Sequence, residues 1–439
     1  MQKIDFRYAE TVSFSQEDIF VAAEPARSYL TELCSVLSKR DYQNSAASLL
    51  LPQDDALLTD TLKLVEEKNS LSPTLLVVVG IGGSNLGTMA VAEAVLGNLY
   101  NLMPDIKIKV LYADTVDSDN TAAIIKLMES EIKAGGRVLL NAISKSGSTT
   151  ETMALFQVLL QVLKEQQPDY HRFVVLTSDA NSKFSNLANQ EGFSLLNLPT
   201  LVGGRFSVFS PVGLFPLGLL GLDLQQLLAG ARLSLESCLD PDPAVNPALL
   251  SAALMILHLK KGININDNFV FDINLEGIGK WYRQLMGESI GKSHDLAGNL
   301  VNCGMTPTVS VGSVDLHSMA QLYLGGPYDK LTTFIATTAN QQVEIPRDEK
   351  FAHLVQGIQG RSLAQVMGAI YQGTKNAFKK GKRPYLEIIL PDKSEASLGQ
   401  LLQFKMIEMM YLAKLLGVNA FDQPNVEDYK SETRAILQG

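Results

Sequence analysis

Residues 74–87 read TLLVVVGIGGSNLG, an aliphatic run that passes directly into a glycine-rich turn. The run has the length and the β-branched content of a buried strand, and glycines let the chain turn tightly into a following helix. Three similar runs follow at helix-sized intervals, IKVLYA at 108–113, RVLLNAI at 137–143 and FVVLTS at 173–178. Strands that alternate with helical segments predict βαβ units and a parallel sheet.

The second half of the chain repeats this alternation. The helix-like ALLSAALMILHLKKG at 248–262 comes first. The apolar runs NFVFDIN, LTTFIATT and PYLEIIL follow at 268–274, 331–338 and 384–390, with a predicted helix near 362–379 before the last run. We therefore predict an α/β fold of two doubly wound parallel-sheet domains with flanking helices and a C-terminal helical tail.

Length and proline placement indicate where the domains divide. The chain has 439 residues, more than the roughly 250–300 at which one hydrophobic core stops growing. The proline-rich CLDPDPAVNP at 238–247 predicts a linker, and the apolar segment 397–417 predicts a helix that ends at Gly417. We expect an N-terminal helical arm at 1–55, a first α/β domain at 56–235, a second at 236–416 and a tail at 417–439.

Composition narrows the class of protein. A net charge of −9 opposes nucleic-acid binding, because phosphate backbones need a basic face. The three widely spaced cysteines, Cys34, Cys238 and Cys303, predict neither a disulfide framework nor a zinc site. The N-terminus lacks an apolar signal segment, and the apolar stretch 206–222, read as a buried helix, is shorter than the roughly 20 residues of a membrane span. We expect a cytoplasmic protein without nucleic-acid or membrane partners.

Two turns between a strand and a helix are candidates for ligand binding. Gly83 and Ser84 lie in the first, which does not match the dinucleotide pattern GxGxxG and could be only a tight connection. The second, NAISKSGSTTET at 141–152, contains Lys145 and a cluster of hydroxyl groups. The hydroxyls belong to Ser144, Ser146, Ser148, Thr149 and Thr150.

This hydroxyl cluster precedes a long helix, and a helix N-terminus attracts phosphate. The alternative is a simple helix cap with Glu151 in the first turn, which explains one or two hydroxyls but not five. The pattern therefore favours a monophosphate site. The nucleotide pattern GxxxxGK[ST] does not occur in this turn.

Isolated polar residues in later segments are further candidates. Arg205 in GGRFS could reach a developing oxyanion, or lie on the surface of a turn. Glu288 in GESIGKSHD could accept a proton at a helix end, although most lone glutamates are solvated. His317, at a predicted helix start, suits proton transfer or a structural role. Gln423 and Lys430 lie about two helical turns apart in NAFDQPNVEDYK.

Taken in order, these segments resemble the signature blocks of the phosphoglucose isomerase family. The blocks extend from residue 80 to residue 430 and read GIGGSNLG, SKSGSTTET, GGRFSVFSPVGLFPLGLLG, GESIGK, DLHS and FDQPNVEDYK. The resemblance implies two SIS-type α/β domains and reversible isomerisation of glucose 6-phosphate and fructose 6-phosphate through a cis-enediol. It also implies a homodimer with shared active sites and no metal or organic cofactor.

The resemblance further implies a role for each candidate residue. Glu288 would move the proton between C1 and C2, and Arg205 would stabilise the charge of the intermediate. His317, from the second subunit, and Lys430 would open the sugar ring. The remaining residues would bind substrate: Ser144, Lys145, Ser146 and Thr149 at the phosphate, and Gly83, Ser84 and Gln423 along the sugar.

Three departures from the family's usual text concern turns rather than catalytic side chains. Asn425 stands where glycine is usual, Thr152 follows Glu151 where proline is common, and the text after the lysine in SIGKSHD differs. Two alternatives remain at this point, an enzyme acting on an amino sugar phosphate and a non-catalytic phosphosugar sensor. An amidotransferase commonly has an N-terminal cysteine, whereas residue 2 here is Gln2, and sensors usually carry a basic helix-turn-helix.

Overall fold

The computed structural model describes residues 1–8, 10–338 and 341–438. Ala9, Ala339, Asn340 and Gly439, which fall within the predicted domains, lie outside the described residues. Twelve strands lie in the described part: β1 Asp5–Arg7, β2 Leu75–Val79, β3 Lys109–Ala113, β4 Val138–Ile143, β5 Val174–Ser178, β6 Ser194–Asn197, β7 Ile265–Val270, β8 Lys292–His294, β9 Leu300–Cys303, β10 Thr306–Val311, β11 Lys330–Thr337 and β12 Tyr385–Leu390.

The same described residues form fifteen α-helices. They are α1 Gln16–Ala23, α2 Arg27–Lys39, α3 Asp55–Ser70, α4 Leu86–Leu96, α5 Ser118–Lys133, α6 Thr150–Gln166, α7 Lys183–Glu191, α8 Pro211–Leu219, α9 Leu224–Cys238, α10 Pro247–Lys260, α11 Glu276–Ile290, α12 Ala320–Gly325, α13 Leu363–Lys380, α14 Glu395–Leu416 and α15 Val426–Gln438.

The chain divides into two compact units. The first unit consists of residues 28–239, and the second combines residues 1–27 with residues 240–439. This division differs from the predicted separate arm at 1–55, because β1 pairs with β12 and sets Asp5 opposite Ile389. The predicted tail likewise belongs to the second unit. The break between the units falls inside the proline-rich segment 238–247.

The first unit is built on a five-stranded sheet with the order β3-β2-β4-β5-β6. All of its strands are parallel. Strands β2, β4 and β5 are buried along their whole length, as expected when helices cover both faces of a parallel sheet. One face packs against α5, α6 and α7 through residues such as Val77, Leu140, Met128 and Leu159.

The winding of this sheet reverses beside β2. The chain passes from β2 to β3 on one side and then crosses to β4, β5 and β6 on the other. In a doubly wound sheet, ligands bind at the carboxyl ends of the strands where the winding reverses. The turns that follow β2 and β4 therefore lie at the edge where a binding crevice is expected, and they are the two turns that the sequence indicates.

The second unit repeats this winding. Its sheet has the order β1-β12-β11-β7-β10, in which the four later strands are parallel and β1 is an antiparallel edge. The chain moves from β7 to β10 and then returns to β11 and β12 on the other side. Strands β8 and β9 form a separate hairpin. The predicted α/β fold of two doubly wound, mainly parallel sheets is confirmed.

Two apolar segments have the structure that the sequence predicts. The stretch 206–222 contains the buried helix α8, and α14 ends at Gly417, whose φ of +73° closes the helix in the left-handed region. Across the described ranges, no helix is long and apolar enough to cross a membrane. All three cysteines are free thiols.

A buried ion pair lies between α10, α11 and α14. Glu408, fully buried on α14, accepts hydrogen bonds from Tyr282 at 2.7 Å and Ser251 at 2.6 Å. The Lys405 ammonium lies 3.0 Å from the same carboxylate, and burial lowers the pKa of Lys405. Because α11 also carries Glu288, this cluster fixes the helix that presents one of the candidate site residues.

We predict that Glu408→Leu destabilises the protein by about 3–5 kcal/mol, because it leaves the Lys405 ammonium buried without its carboxylate. The double variant Lys405→Met/Glu408→Leu should recover most of that loss, since a buried ion pair is often replaceable by apolar side chains of similar volume. Thermal melting of the three proteins tests this. Equal losses in the single and double variants would contradict it.

Candidate functional site

The turn after β2 packs directly against the segment that carries Arg205. A Cβ atom placed on Gly83 would lie 2.1 Å from the carbonyl carbon of Gly204 and 2.5 Å from the backbone nitrogen of Arg205. No side chain fits in that gap, so only glycine allows the two backbones to approach so closely. The Ser207 hydroxyl joins them by donating to the carbonyl groups of Gly83 and Gly204, at 3.3 and 2.7 Å.

Arg205 is a buried residue and not a surface arginine, so that alternative is wrong. Its side chain is 2% exposed, and its guanidinium lies 5.4 Å from the centre of the Phe206 ring. A buried guanidinium is a fixed positive charge in surroundings of low dielectric constant, where its effect on a nearby anion is stronger than in water. This location suits electrostatic stabilisation of negative charge.

The hydroxyl-rich turn after β4 has a defined geometry. Gly147 has a φ of +63°, and a Cβ there would lie 2.5 Å from the backbone nitrogen of Phe184. The Ser144 hydroxyl lies 3.1 Å from that of Thr149, and the Ser146 hydroxyl lies 2.7 Å from that of Ser148. The turn therefore gathers four hydroxyl groups around one glycine.

The turn ends at the N-terminus of α6, a helix of 17 residues. Thr149 is the N-cap residue, but its side chain makes no capping hydrogen bond to the described residues of the helix. The simple-cap alternative therefore does not account for this threonine. The first N–H groups of α6 carry the positive end of the helix dipole, which together with the hydroxyls suits a phosphate group.

Ser178 anchors this turn from the end of β5. Its buried hydroxyl donates to the carbonyl oxygens of Ser144 and Lys145, at 2.6 and 3.0 Å. The backbone nitrogen of Asp179 adds a third bond to the Lys145 carbonyl, at 3.1 Å. Sequence reasoning did not identify Ser178, although a serine that directly follows a buried strand is a signal that could have found it.

In the second unit, Glu288 lies near the C-terminal end of α11, as predicted. One oxygen of its carboxylate accepts a hydrogen bond from the amide of Gln284, one turn earlier, at 3.0 Å. The backbone carbonyl of Glu288 accepts a bond from the Lys292 ammonium at 2.8 Å. Sequence reasoning missed both partners, although their spacing of four residues on either side of Glu288 is the helical spacing of contacting side chains.

Lys292 also holds the turn that contains Gln423. Its ammonium donates to the backbone carbonyl of Asp422 and, at 2.9 Å, to the Asp422 carboxylate. Gln423 directly follows this anchored residue. The structure therefore brings Glu288 and the segment of Gln423 together through a single ammonium group.

Lys430 lies on α15, which begins at Val426. Its ammonium lies 2.8 Å from the carboxylate of Glu427, and this hydrogen bond lowers the pKa of Glu427. None of the described side chains of α15 is buried. Lys430 is therefore accessible at the surface of the second unit.

His317 does not begin a helix, contrary to the prediction. It follows the single 3₁₀ turn Val314–Leu316, and the next α-helix begins at Ala320. The Asp315 carboxylate shapes this loop by accepting bonds from the backbone nitrogen of Val311 and the hydroxyl of Ser318, both at 2.7 Å. His317 itself is exposed, so the alternative of a buried structural histidine is wrong.

Glu288 and His317 lie near opposite ends of the strand β10. Gly287, next to Glu288, lies against Pro307 near the beginning of β10, whereas His317 belongs to the loop after β10 ends at Val311. Val311 lies four positions after Pro307, about 13 Å at 3.3 Å per residue. Within one chain, Glu288 therefore lies near the amino end of β10 and His317 near its carboxyl end.

The described residues contain no group of three or more His, Cys, Asp or Glu side chains arranged to hold a metal ion. In the first unit, the candidate residues are hydroxyl groups and one buried guanidinium, which suit binding of an anionic ligand. In the second unit, they include groups that can exchange protons.

The chain is similar to a known family and to several of its members. Residues 68–439 match the phosphoglucose isomerase family. The glucose-6-phosphate isomerase of Carboxydothermus hydrogenoformans is 33% identical, over 99% of this chain and 94% of that protein. The glucose-6-phosphate isomerase of Rubrobacter xylanophilus is 35% identical, over 88% of each chain.

The chain is also similar to solved structures. A hypothetical protein from Thermus thermophilus superposes with a TM-score of 0.86 at 32% identity, covering 99% of this chain and all of that one. A glucose-6-phosphate isomerase from Chlamydia trachomatis superposes with a TM-score of 0.85, covering 100% of this chain and 89% of that one. At 20% identity, the second likeness shows a shared fold.

We predict that Gly83→Ala destabilises the protein by about 1–3 kcal/mol, because the new methyl group meets backbone atoms that must move. Gly368→Ala is the matched control, since a Cβ there meets nothing within 4 Å. The control should be neutral or slightly stabilising, as expected for alanine in a helix interior. Melting temperatures of the two variants test this, and similar values would contradict the predicted contact.

Proposed function

The chain belongs to the phosphoglucose isomerase family, and we infer that it catalyses the reversible isomerisation of glucose 6-phosphate and fructose 6-phosphate. The observation that carries this conclusion is the family match over residues 68–439, which includes each candidate residue from Gly83 to Lys430. This reaction is a step of glycolysis and gluconeogenesis, so the expected location is the cytoplasm. The aldose and the ketose differ by an internal hydrogen shift, which needs a base and an oxyanion partner but no redox agent.

In this proposal the turn after β4 holds the phosphate group of the substrate. The hydroxyls of Ser144, Ser146 and Thr149 donate to phosphate oxygens, and Lys145 contributes positive charge. Support comes from the clustering of these hydroxyls at the N-terminus of α6. It also comes from Thr149, whose side chain makes no capping hydrogen bond to the described residues of that helix. Gly83, Ser84 and Gln423 line the sugar.

Glu288 is the proposed base that carries a proton between C1 and C2 through a cis-enediol intermediate. Negative charge develops on the sugar oxygens in this step, and Arg205 stabilises it. The burial of Arg205 supports this role, since a fixed charge shielded from water acts strongly and needs little reorganisation. The hydrogen bond from Gln284 supports the role of Glu288 by orienting its carboxylate.

His317 and Lys430 are the proposed groups that open the sugar ring by proton transfer at its oxygens. A group that transfers a proton must lie within about 3 Å of the reacting atom. The location of Glu288 and His317 near opposite ends of β10 supports a homodimer in which the histidine of one subunit serves the site of the other. The exposure of His317 is consistent with such sharing.

We predict that Glu288→Gln lowers kcat by about two to four orders of magnitude with little change in KM, because an amide cannot accept the proton. A coupled dehydrogenase assay from fructose 6-phosphate measures both constants, with mannose and glucosamine phosphates as competing substrates. Glu276→Gln, at the opposite end of α11, is the matched control and should retain wild-type kcat. An unchanged kcat in Glu288→Gln would remove this residue from the mechanism, and a wild-type protein without turnover would refute the isomerase function.

A second prediction tests the shared site. Glu288→Gln and His317→Ala should each be nearly inactive, and subunit exchange between them should restore about a quarter of the wild-type activity. In an equimolar mixture, half of the dimers are mixed, and each mixed dimer has one intact site and one doubly altered site. Activity that stays at the level of the separate variants after exchange would show that each site is built from a single chain.

A further inference from the structure

Lys292 is a buried lysine that joins two separate parts of the second unit. Its side chain is 4% exposed, although it lies in the short strand β8 only four residues after Glu288. The ammonium donates to the backbone carbonyl of Glu288 at 2.8 Å, to the carbonyl of Asp422, and to the Asp422 carboxylate at 2.9 Å. One cation therefore contacts the end of α11 and the turn that precedes Gln423.

These contacts are well suited to fix position. The Glu288 carbonyl belongs to the last turn of α11, where backbone carbonyls lack helical partners and attract positive charge. The pairing of Lys292 with Cys303 in the β8–β9 hairpin fixes the backbone from which the lysine side chain extends. Charge-assisted hydrogen bonds are shorter and stronger than neutral ones, so the ammonium restricts both of its neighbours.

Two further bonds tie the same hairpin to the segment after α14. The Ser293 hydroxyl donates to the side-chain oxygen of Asn425 at 3.2 Å, and the backbone nitrogen of Leu296 donates to the carbonyl of Gly417 at 2.8 Å. Ser293 and Asn425 lie in two of the segments in which this chain departs from the usual family text. These departures therefore meet in space and add a contact beside Lys292.

We propose that Lys292 is a positioning residue for the isomerisation, an inference that rests on the proposed roles of Glu288 and Gln423. Its ammonium sets the location of the base relative to the sugar-binding turn, and it exchanges no proton with the substrate. A displacement of about 1 Å between a catalytic group and its substrate can cost a hundredfold in rate. Loss of this tether therefore affects the proton-transfer step more than substrate binding.

The test compares Lys292→Met, which keeps the length of the side chain but cannot donate, with Lys280→Met. Lys280 lies on α11, the helix that carries Glu288, is partly exposed and pairs with Glu276 at 2.8 Å. Each protein is assayed for kcat, KM, melting temperature and the deuterium isotope effect on kcat with glucose 6-phosphate labelled at C2. The isotope effect reports how far proton transfer limits turnover, and a smaller fraction of folded enzyme does not change it.

Lys292→Met should lower kcat by about ten- to a hundredfold, keep KM within about twofold and raise the isotope effect. Lys280→Met should match the wild type in all three. A kcat of Lys292→Met within twofold of wild type, or a lower kcat with an unchanged isotope effect, would overturn the proposal. The wild-type turnover in the same assay separates this failure from a failure of the isomerase function.

Asp422→Asn provides the test if Lys292→Met does not fold. This variant keeps the backbone acceptor of residue 422 and replaces the carboxylate with a neutral group of the same shape. The isotope effect should rise while kcat falls by about two- to tenfold, a smaller loss because only one of the three acceptors changes. An isotope effect equal to that of the wild type would overturn the positioning role of the tether.

Discussion

The close approach of two backbone segments, at Gly83 and Gly204, is the constraint on which the site of the first unit depends. The gap is too narrow for a single methyl group. Because Arg205 follows Gly204 directly, this approach sets the backbone of the buried Arg205 beside the turn after β2. The strand order then brings the hydroxyl-rich turn after β4 to the same edge of the sheet. A local packing requirement and a topological one thus act together.

Buried charged side chains connect the elements of the second unit. Lys405 and Lys292 are both lysines removed from water. Lys405 contacts the two oxygens of the Glu408 carboxylate, and Lys292 contacts oxygens of Glu288 and Asp422. Burying an ammonium is costly unless good geometry offsets the loss of hydration. The first of these lysines lies in the core that supports α11, and the second lies at the end of the same helix. Helix α11, which carries Glu288, is therefore contacted both along its length and at its C-terminal end.

The sequence predicts those features whose cause is local. The aliphatic runs of β2, β4 and β5 and the hydroxyls from Ser144 to Thr149 are continuous in the chain, and their patterns are sufficient. β1 was not predicted because its three residues form a strand by pairing with the distant β12, with Asp5 opposite Ile389. The role of Lys292 was not predicted because its burial depends on Asp422, 130 residues away. The 3₁₀ turn before His317 likewise depends on side-chain bonds that no hydrophobic period reveals.

The pairing of β1 with β12 affects the order in which the two units can complete their sheets during synthesis. The first unit is one uninterrupted segment, residues 28–239, and contains all the partners of its sheet. In the second sheet, residues 5–7 pair with residues 387–389. This edge strand therefore cannot pair until most of the chain has been synthesised. Since domains generally fold as units during synthesis, the first unit can complete its sheet while the chain is still being made, whereas the sheet of the second unit is complete only after β12 has been synthesised.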